Sequence, residues 1–183
     1  MITVGITGGI GSGKTTVCKI FETLDIPVYY ADIRAKKLMT YNNPLKQEIK
    51  SLLGTDAYHA NGRLNRKYVG SKVFADKVLL EMLNSIVHPA VRRDALEWAS
   101  RQNSPYTLQE AALFVENKSY KSLDKLIVVT APEDIRIERV MHRDKVSTSS
   151  VQQRIDNQLP ESEKIKVADY VIANDNKLAL VPQ

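Results

Sequence analysis

The chain has 183 residues, 43% hydrophobic and 26% charged, with one cysteine and a formal net charge of +5. That size and balance predict one globular domain, or one core with insertions. They exclude a disulfide scaffold, and no apolar run approaches the roughly 18 residues of a membrane span. The positive charge suits a polyanionic ligand. No block of basic residues, basic helix or base-stacking aromatic run supports nucleic acid as that ligand. The expected protein is cytoplasmic, with no membrane partner, and monomeric or weakly oligomeric.

Ile2–Thr7 reads as a short buried strand. Gly8-Gly9-Ile10-Gly11-Ser12-Gly13-Lys14-Thr15 follows at once and matches G-x-x-x-x-G-K-[ST]. From Thr16 to Leu24, apolar Val17, Ile20, Phe21 and Leu24 recur at helical spacing, and Cys18 falls on the same apolar face. Strand, glycine loop and helix together make a phosphate cradle. Glycines let successive N–H groups turn inward around an anion, and the helix start adds partial positive charge. In such a cradle Gly8, Gly9, Gly11, Ser12, Gly13, Lys14, Thr15 and Thr16 are the nucleotide-binding candidates. Lys14 reaches the β- and γ-phosphates, and the Thr15 hydroxyl suits Mg²⁺. A glycine-rich turn with an incidental lysine is the competing explanation, and both flanks speak against it.

A second strand is expected over Pro27–Ala31 and runs into Asp32. Ligands in open α/β sheets sit beyond the carboxyl ends of strands, so a carboxylate here is a candidate to receive a hydroxyl proton. Capping the following helix is its alternative role. About 70 residues with almost no strand character come next, and an inserted substrate-binding block explains such an interruption. Leu45–Leu53, Val73–Leu83 and Ile86–Arg101 show helical periodicity, and Asn61-Gly62 marks a turn. Further strands are expected at Tyr106–Leu113, Leu126–Thr130 and Tyr170–Ala173, giving a parallel five-stranded sheet flanked by helices. Between the last two, Arg136, Arg139 and Arg143 align along one helix face, and Arg154 and Gln158 lie four apart on a later helix. A solvated face with surface ion pairs is the alternative for these arginines.

In order along the chain, the following blocks resemble the dephospho-CoA kinase family: Thr7–Thr15, Ala31-Asp32-Ile33, Leu64-Asn65-Arg66, Val73-Phe74, Ile86-Val87-His88-Pro89, Leu113–Glu116, Arg139–Asp144, Arg154–Gln158 and Ala168–Asn174. The resemblance covers nearly the whole chain. It implies an α/β P-loop kinase fold with a core (1–31, 104–144 and 168–183), a helical CoA-binding insertion (32–103) and a lid (145–167). It also implies transfer of the ATP γ-phosphoryl group to the ribose 3′-hydroxyl of dephospho-CoA, with Mg²⁺. Asp32 would then act as base or orienting group, and Arg139 and Arg143 would bring positive charge onto the phosphates. Asn174 would lie near the adenine. His88, taken with Pro89 to open a helix over Ala90–Arg101, would face the acceptor, with helix capping or packing as its alternative role. Arg66, Arg92 and Arg93 are candidates for the acceptor's pyrophosphate.

The chain departs from the family pattern twice. After Gln109 and Glu110 it has alanine where the family often has proline, and one extra residue before Glu116. Glu110 is the candidate for outer-shell metal contact, with Glu116 a weaker one. The chain also ends at Leu178–Gln183, where the family usually continues into another helix, so part of the sheet's cover is expected to be missing. Two rivals stay open at this point: another small-molecule or nucleoside monophosphate kinase, and a nucleotide switch with no acceptor. The chain has no Asn/Thr-Lys-x-Asp motif for reading guanine.

Overall fold

The computed structural model describes all residues from 1 to 183, and the chain divides into two compact units, Met1–Tyr30 with Gln102–Gln183, and Ala31–Arg101. In the first unit five strands form one sheet: β1 (Ile2–Thr7), β2 (Val28–Tyr30), β3 (Tyr106–Glu110), β4 (Lys125–Thr130) and β5 (Tyr170–Ala173). Their order is β2-β3-β1-β4-β5, and every pairing is parallel. All loops leaving the carboxyl ends of the strands therefore emerge at one edge of the sheet. β1 is central, with Ile6 opposite Glu110 on one side and Ile127 on the other.

Strands covered on both faces tend to be continuous apolar runs, as Leu126–Val129 of β4 is, whereas β3 carries Gln109 and Glu110 at its carboxyl end. Val4, Ile6, Leu108, Ile127, Val129 and Ile172 pack on one face with Val17 and Cys18 of α1 (Lys14–Thr23). Leu126 and Val128 pack on the other with Phe114 and Val115. The remaining helices of this unit are α6 (Glu133–Asp144), α7 (Thr148–Asp156) and α8 (Glu161–Ile165). β3 is shorter than its apolar run predicts. After the Ala111 N–H bonds the Ile6 carbonyl, the chain leaves the sheet and buries Phe114 and Val115 instead of continuing to Leu113. The final residues turn back toward the sheet. Leu180 packs on the α1-side core, and the Gln183 side chain pairs with both the N–H and C=O of Ala173.

The second unit contains α2 (Ala31–Tyr41), α3 (Asn43–Leu53), a 3₁₀ turn (Thr55–Ala57), α4 (Arg66–Val73) and α5 (Lys77–Ser100). Leu45, Ile49 and Leu53, at helical spacing on α3, meet Val69, Val73, Leu83, Val87 and Ala90 in its core. Asn42, Asn65 and Asp76 cap α3, α4 and α5 by accepting backbone N–H groups. A bidentate Arg34–Asp94 pair (2.8 and 2.6 Å) ties α2 to α5. The expected Asn61-Gly62 turn is present, with Gly62 at φ +77°.

Two expectations about helices fail here. His88-Pro89 does not open a helix: α5 starts at the Asp76 cap and runs through Pro89. Proline removes one helical hydrogen bond, but Leu83, Val87, Ala90, Ala95 and Ala99 bury a continuous stripe on both sides of it. That burial offsets the lost bond. The segment expected as one helix from Val73 to Leu83 is likewise split, because α4 ends at Val73 and the Asp76 cap starts α5. No helix in the structure is long and apolar enough to cross a membrane.

Candidate active site

The glycine loop connects β1 to α1, and α1 begins at Lys14, two residues earlier than the apolar periodicity suggests. Lys14, Thr15 and Thr16 therefore occupy the first helical turn, where the Thr16 N–H bonds the Gly13 carbonyl at 2.9 Å and the Lys14 and Thr15 N–H groups lack intrahelical partners. The cap residue is Gly13, at φ +95°, and it offers no side chain to those donors. The turn is thus a seat for an external anion. Two glycines are required by space as well as by φ. A Cβ on Gly11 (φ +80°) would stand 2.5 Å from the Arg136 carbonyl oxygen, and one on Gly13 would stand 2.0 Å from Asn174 Nδ2. Lys14 Nζ lies across the loop, donating to the carbonyls of Gly8 (2.9 Å) and Gly9 (3.2 Å). Ser12 is fully buried, and its backbone carbonyl accepts from Asn174 Nδ2 at 2.9 Å.

The three arginines of α6 follow one another along the helix but meet different surroundings. Arg136 is buried with its guanidinium against Gly9 and an ion pair to Glu133 at 3.4 Å. Arg139 donates to the carbonyl of Gly11 (3.4 Å), to Asn174 Oδ1 (3.3 Å) and to Asn176 Oδ1. Arg143 is exposed and held by the adjacent Asp144 (2.7 and 3.1 Å), which Arg154 also grips at 2.7 Å. Hydrogen bonding from Arg143, then its charge and the Arg154 contact, depress the Asp144 pKa to about 2. Arg139 and Arg143 line an open cavity of about 320 Å³ with Ile135, Glu138, His142 and Asn176.

Asn174, the first residue after β5, bonds Thr130 through its backbone and joins Ser12 to Arg139 through its side chain. Gln158, just beyond α7, also reaches the loop: its Oε1 accepts the Ile10 N–H at 2.8 Å. The chain around Gln158 is anchored from behind, because Glu116 accepts the Leu159 N–H and forms an ion pair with the fully buried Lys164. That pairing occupies Glu116, the weaker metal candidate, as an anchor. Sequence reading gave Arg136 and Gln158 no part in the loop. Their contacts join residues more than 120 positions apart, and helical spacing alone carries no sign of such pairings.

Glu110 ends β3 and is buried, paired in register with Ile6 and Tyr30. Burial, then the Glu110 and Glu22 carboxylates, push the Cys18 thiol up to about 12, while Lys14 pulls it the other way. Burial and neighbouring negative charge also raise the Tyr30 phenol. For a divalent ion the unit offers the exposed Thr15 hydroxyl and the Glu110 carboxylate, and nowhere do three His, Cys, Asp or Glu residues converge as a metal cluster. One or two hard oxygen donors, with no complete protein cage, fit an Mg²⁺ whose remaining ligands are phosphates and water.

In the second unit Asp32 is exposed in the first turn of α2, inside the helix, so it is not the capping residue ahead of it. Arg66 opens α4 and lines a cavity of about 480 Å³ with Lys36, Lys37, Arg63 and the apolar Ile33 and Leu64. Four cations converge there, three of which sequence reading did not single out. His88, Arg92 and Arg93 lie on exposed stretches of α5 and do not line that cavity. Partial desolvation lowers the His88 pKa.

The dephospho-CoA kinase family model matches residues 2–179. A Dephospho-CoA kinase of Porphyromonas gingivalis is 41% identical over all of this chain and 91% of its own length. Among solved structures, TT1252 from Thermus thermophilus superposes with a TM-score of 0.85 at 35% identity, over 96% of this chain and 90% of that one. The Dephospho-CoA kinase from Campylobacter jejuni gives 0.69 at 31% identity, over 96% and 89%.

Proposed function

The chain belongs to the dephospho-CoA kinase family, and from that premise we propose how its residues carry out the ATP-dependent phosphorylation of dephospho-CoA in coenzyme A biosynthesis. The observation that carries the reading is the uncapped first turn of α1 with Lys14 lying across the loop carbonyls beside it. The amides of Lys14 and Thr15 hold the α- and β-phosphates, with the exposed Thr16 hydroxyl beside them, and Lys14 neutralises charge at the β–γ end. Thr15 would hold Mg²⁺, with Glu110 in its outer shell. The ion supplies Lewis-acid neutralisation of the phosphate oxygens.

Arg139, Asn174 and Asn176 form the rim on which the nucleoside rests, in line with their convergence beside Gly11 and Gly13. Arg143 exchanges Asp144 for phosphate oxygens when nucleotide binds, and residues 145–167 act as the lid, which moves about its anchored end at Gln158 and Lys164. Asp32 takes and orients the ribose 3′-hydroxyl of the acceptor. Phosphoryl transfer has a loose transition state with late proton movement, so placing this oxygen in line matters more than the strength of the base. The cations at Lys36, Lys37, Arg63 and Arg66 receive the acceptor's pyrophosphate, while Ile33 and Leu64 offer apolar surface to the rest of its arm. His88 and Arg92 stay secondary candidates for acceptor contact.

The test is ADP release by the purified chain with ATP, with and without dephospho-CoA. Turnover should depend on the acceptor and stop on chelation of divalent metal. Asp32→Asn should keep ATP affinity and lose about 10²-fold or more in kcat. Acceptor-independent ADP release would defeat the reading, and near-normal turnover by Asp32→Asn would remove that residue from it.

A further inference from the structure

A single peptide group of the phosphate loop is gripped at both ends by side chains from distant parts of the fold. The Gly9 carbonyl accepts from Lys14 Nζ at 3.2 Å, and the Ile10 N–H of the same peptide donates to Gln158 Oε1 at 2.8 Å. In this motif the lysine serves the β- and γ-phosphates, so the Gly9–Ile10 peptide belongs to the end of the loop where the γ-phosphoryl group sits. Gln158 is itself held in place. Its own N–H bonds the Ile155 carbonyl, and the next residue is fixed by Glu116, which Lys164 anchors. The Arg136 guanidinium closes the Gly9 flank of the same peptide.

We propose that Gln158 is a positioning residue for phosphoryl transfer. By holding the Ile10 N–H it fixes the plane of the Gly9–Ile10 peptide, and thereby keeps the Gly9 carbonyl under Lys14 Nζ. The ammonium is then seated on two carbonyls at the β–γ end before the triphosphate arrives. Without the glutamine the Ile10 N–H loses its acceptor and the peptide is free to rotate, which leaves Lys14 with Gly8 as its remaining loop seat. The amides that take the α- and β-phosphates belong to the first turn of α1 and do not depend on this peptide. The effect therefore falls chiefly on the γ-phosphoryl step, and ADP, which keeps the α1 amides and a lysine still seated on Gly8, is little affected. This inference rests on the proposed function, since it requires the loop to hold a triphosphate.

The experiment compares the wild-type chain with Gln158→Leu, which keeps the bulk and removes the acceptor, and with Gln158→Asn, which keeps the amide and shortens its reach. Steady-state kinetics with ATP and dephospho-CoA are read beside ADP affinity by calorimetry and beside melting temperature. Both variants should lose roughly ten- to hundred-fold in kcat, the effect of leaving one loop N–H unmet in the transition state. ADP affinity should stay within about twofold of wild type, as a local loss at one peptide leaves the α1 amides intact. Equal kcat in wild type and both variants overturns the proposal. So does a parallel fall of kcat, ADP affinity and melting temperature in both, because that is the signature of a merely structural glutamine. Should Gln158→Leu fail to fold, Gln158→Asn decides alone by the same criteria. A wild-type chain that does not turn over dephospho-CoA would instead defeat the proposed function.

Discussion

Lys164→Met removes one partner of the buried pair that anchors the chain behind Gln158. The lysine side chain is 0% exposed and Glu116 is 17% exposed. Methionine matches the length of the lysine stem, so the main loss is the ammonium and the cavity cost is small. Glu116 then keeps only the Leu159 N–H at 3.4 Å, and its Oε2 already has no hydrogen-bond partner. Breaking a buried pair this way costs about 3–5 kcal/mol, and because Glu116 Oε2 is itself shielded from water the loss should be at least about 3 kcal/mol. For a chain of this size that lowers the melting temperature by roughly 6–12 °C. Thermal and urea unfolding of Lys164→Met, Glu116→Gln and the double variant measure it. The double variant should be more stable than Lys164→Met alone, because it no longer buries an unpaired charge. A melting temperature for Lys164→Met within about 2 °C of wild type, on the same scaling, would refute the reasoning.

Two further outcomes follow from ionisation. Cys18, fully buried and with its thiol raised to about 12, should be inert to a chromogenic disulfide reagent near pH 8 in the native chain and react fully in denaturant; rapid native labelling would show that α1 opens readily. Asp144 has a folded pKa of about 2, below the ordinary carboxylate value of about 3.9, so its contribution is fully present above pH 4 and fades as pH falls toward 2. Asp144→Asn should therefore lower the urea midpoint at pH 7, with the gap to wild type closing by about pH 2, below both pKa values. A gap unchanged across that range would mean the Arg143 and Arg154 contacts do not distinguish the folded carboxylate.

The phosphate loop owes its shape to more than its own glycines. Arg136 and Arg139 from α6, Gln158 from beyond α7, and Asn174 from the end of β5 each touch it. The parallel sheet brings these segments together, since every strand delivers its following loop to the same edge. Most of the contacts meet backbone carbonyls or N–H groups of the loop. The nucleotide seat is therefore preorganised by residues that have no place in the glycine motif itself, which spares ordering cost when the anion binds.

The amino-acid sequence by itself determined the local features. The phosphate cradle follows from glycine spacing between an apolar run and a helical pattern, and β1 and β5 fall where the apolar runs put them. Capping by Asn42, Asn65 and Asp76 depends only on nearby residues and has the same local character. Tertiary structure alone decided the rest. It ended β3 at Glu110 by offering Phe114 and Val115 a buried site, and it carried α5 through Pro89 by burying the stripe on both sides. It also placed three arginines of one helix in three different environments, and it set Gln158 on the Ile10 N–H across 148 positions. The physical reason is the same in each case: burial and long-range hydrogen bonds depend on which segments meet, and no window along the chain contains both partners.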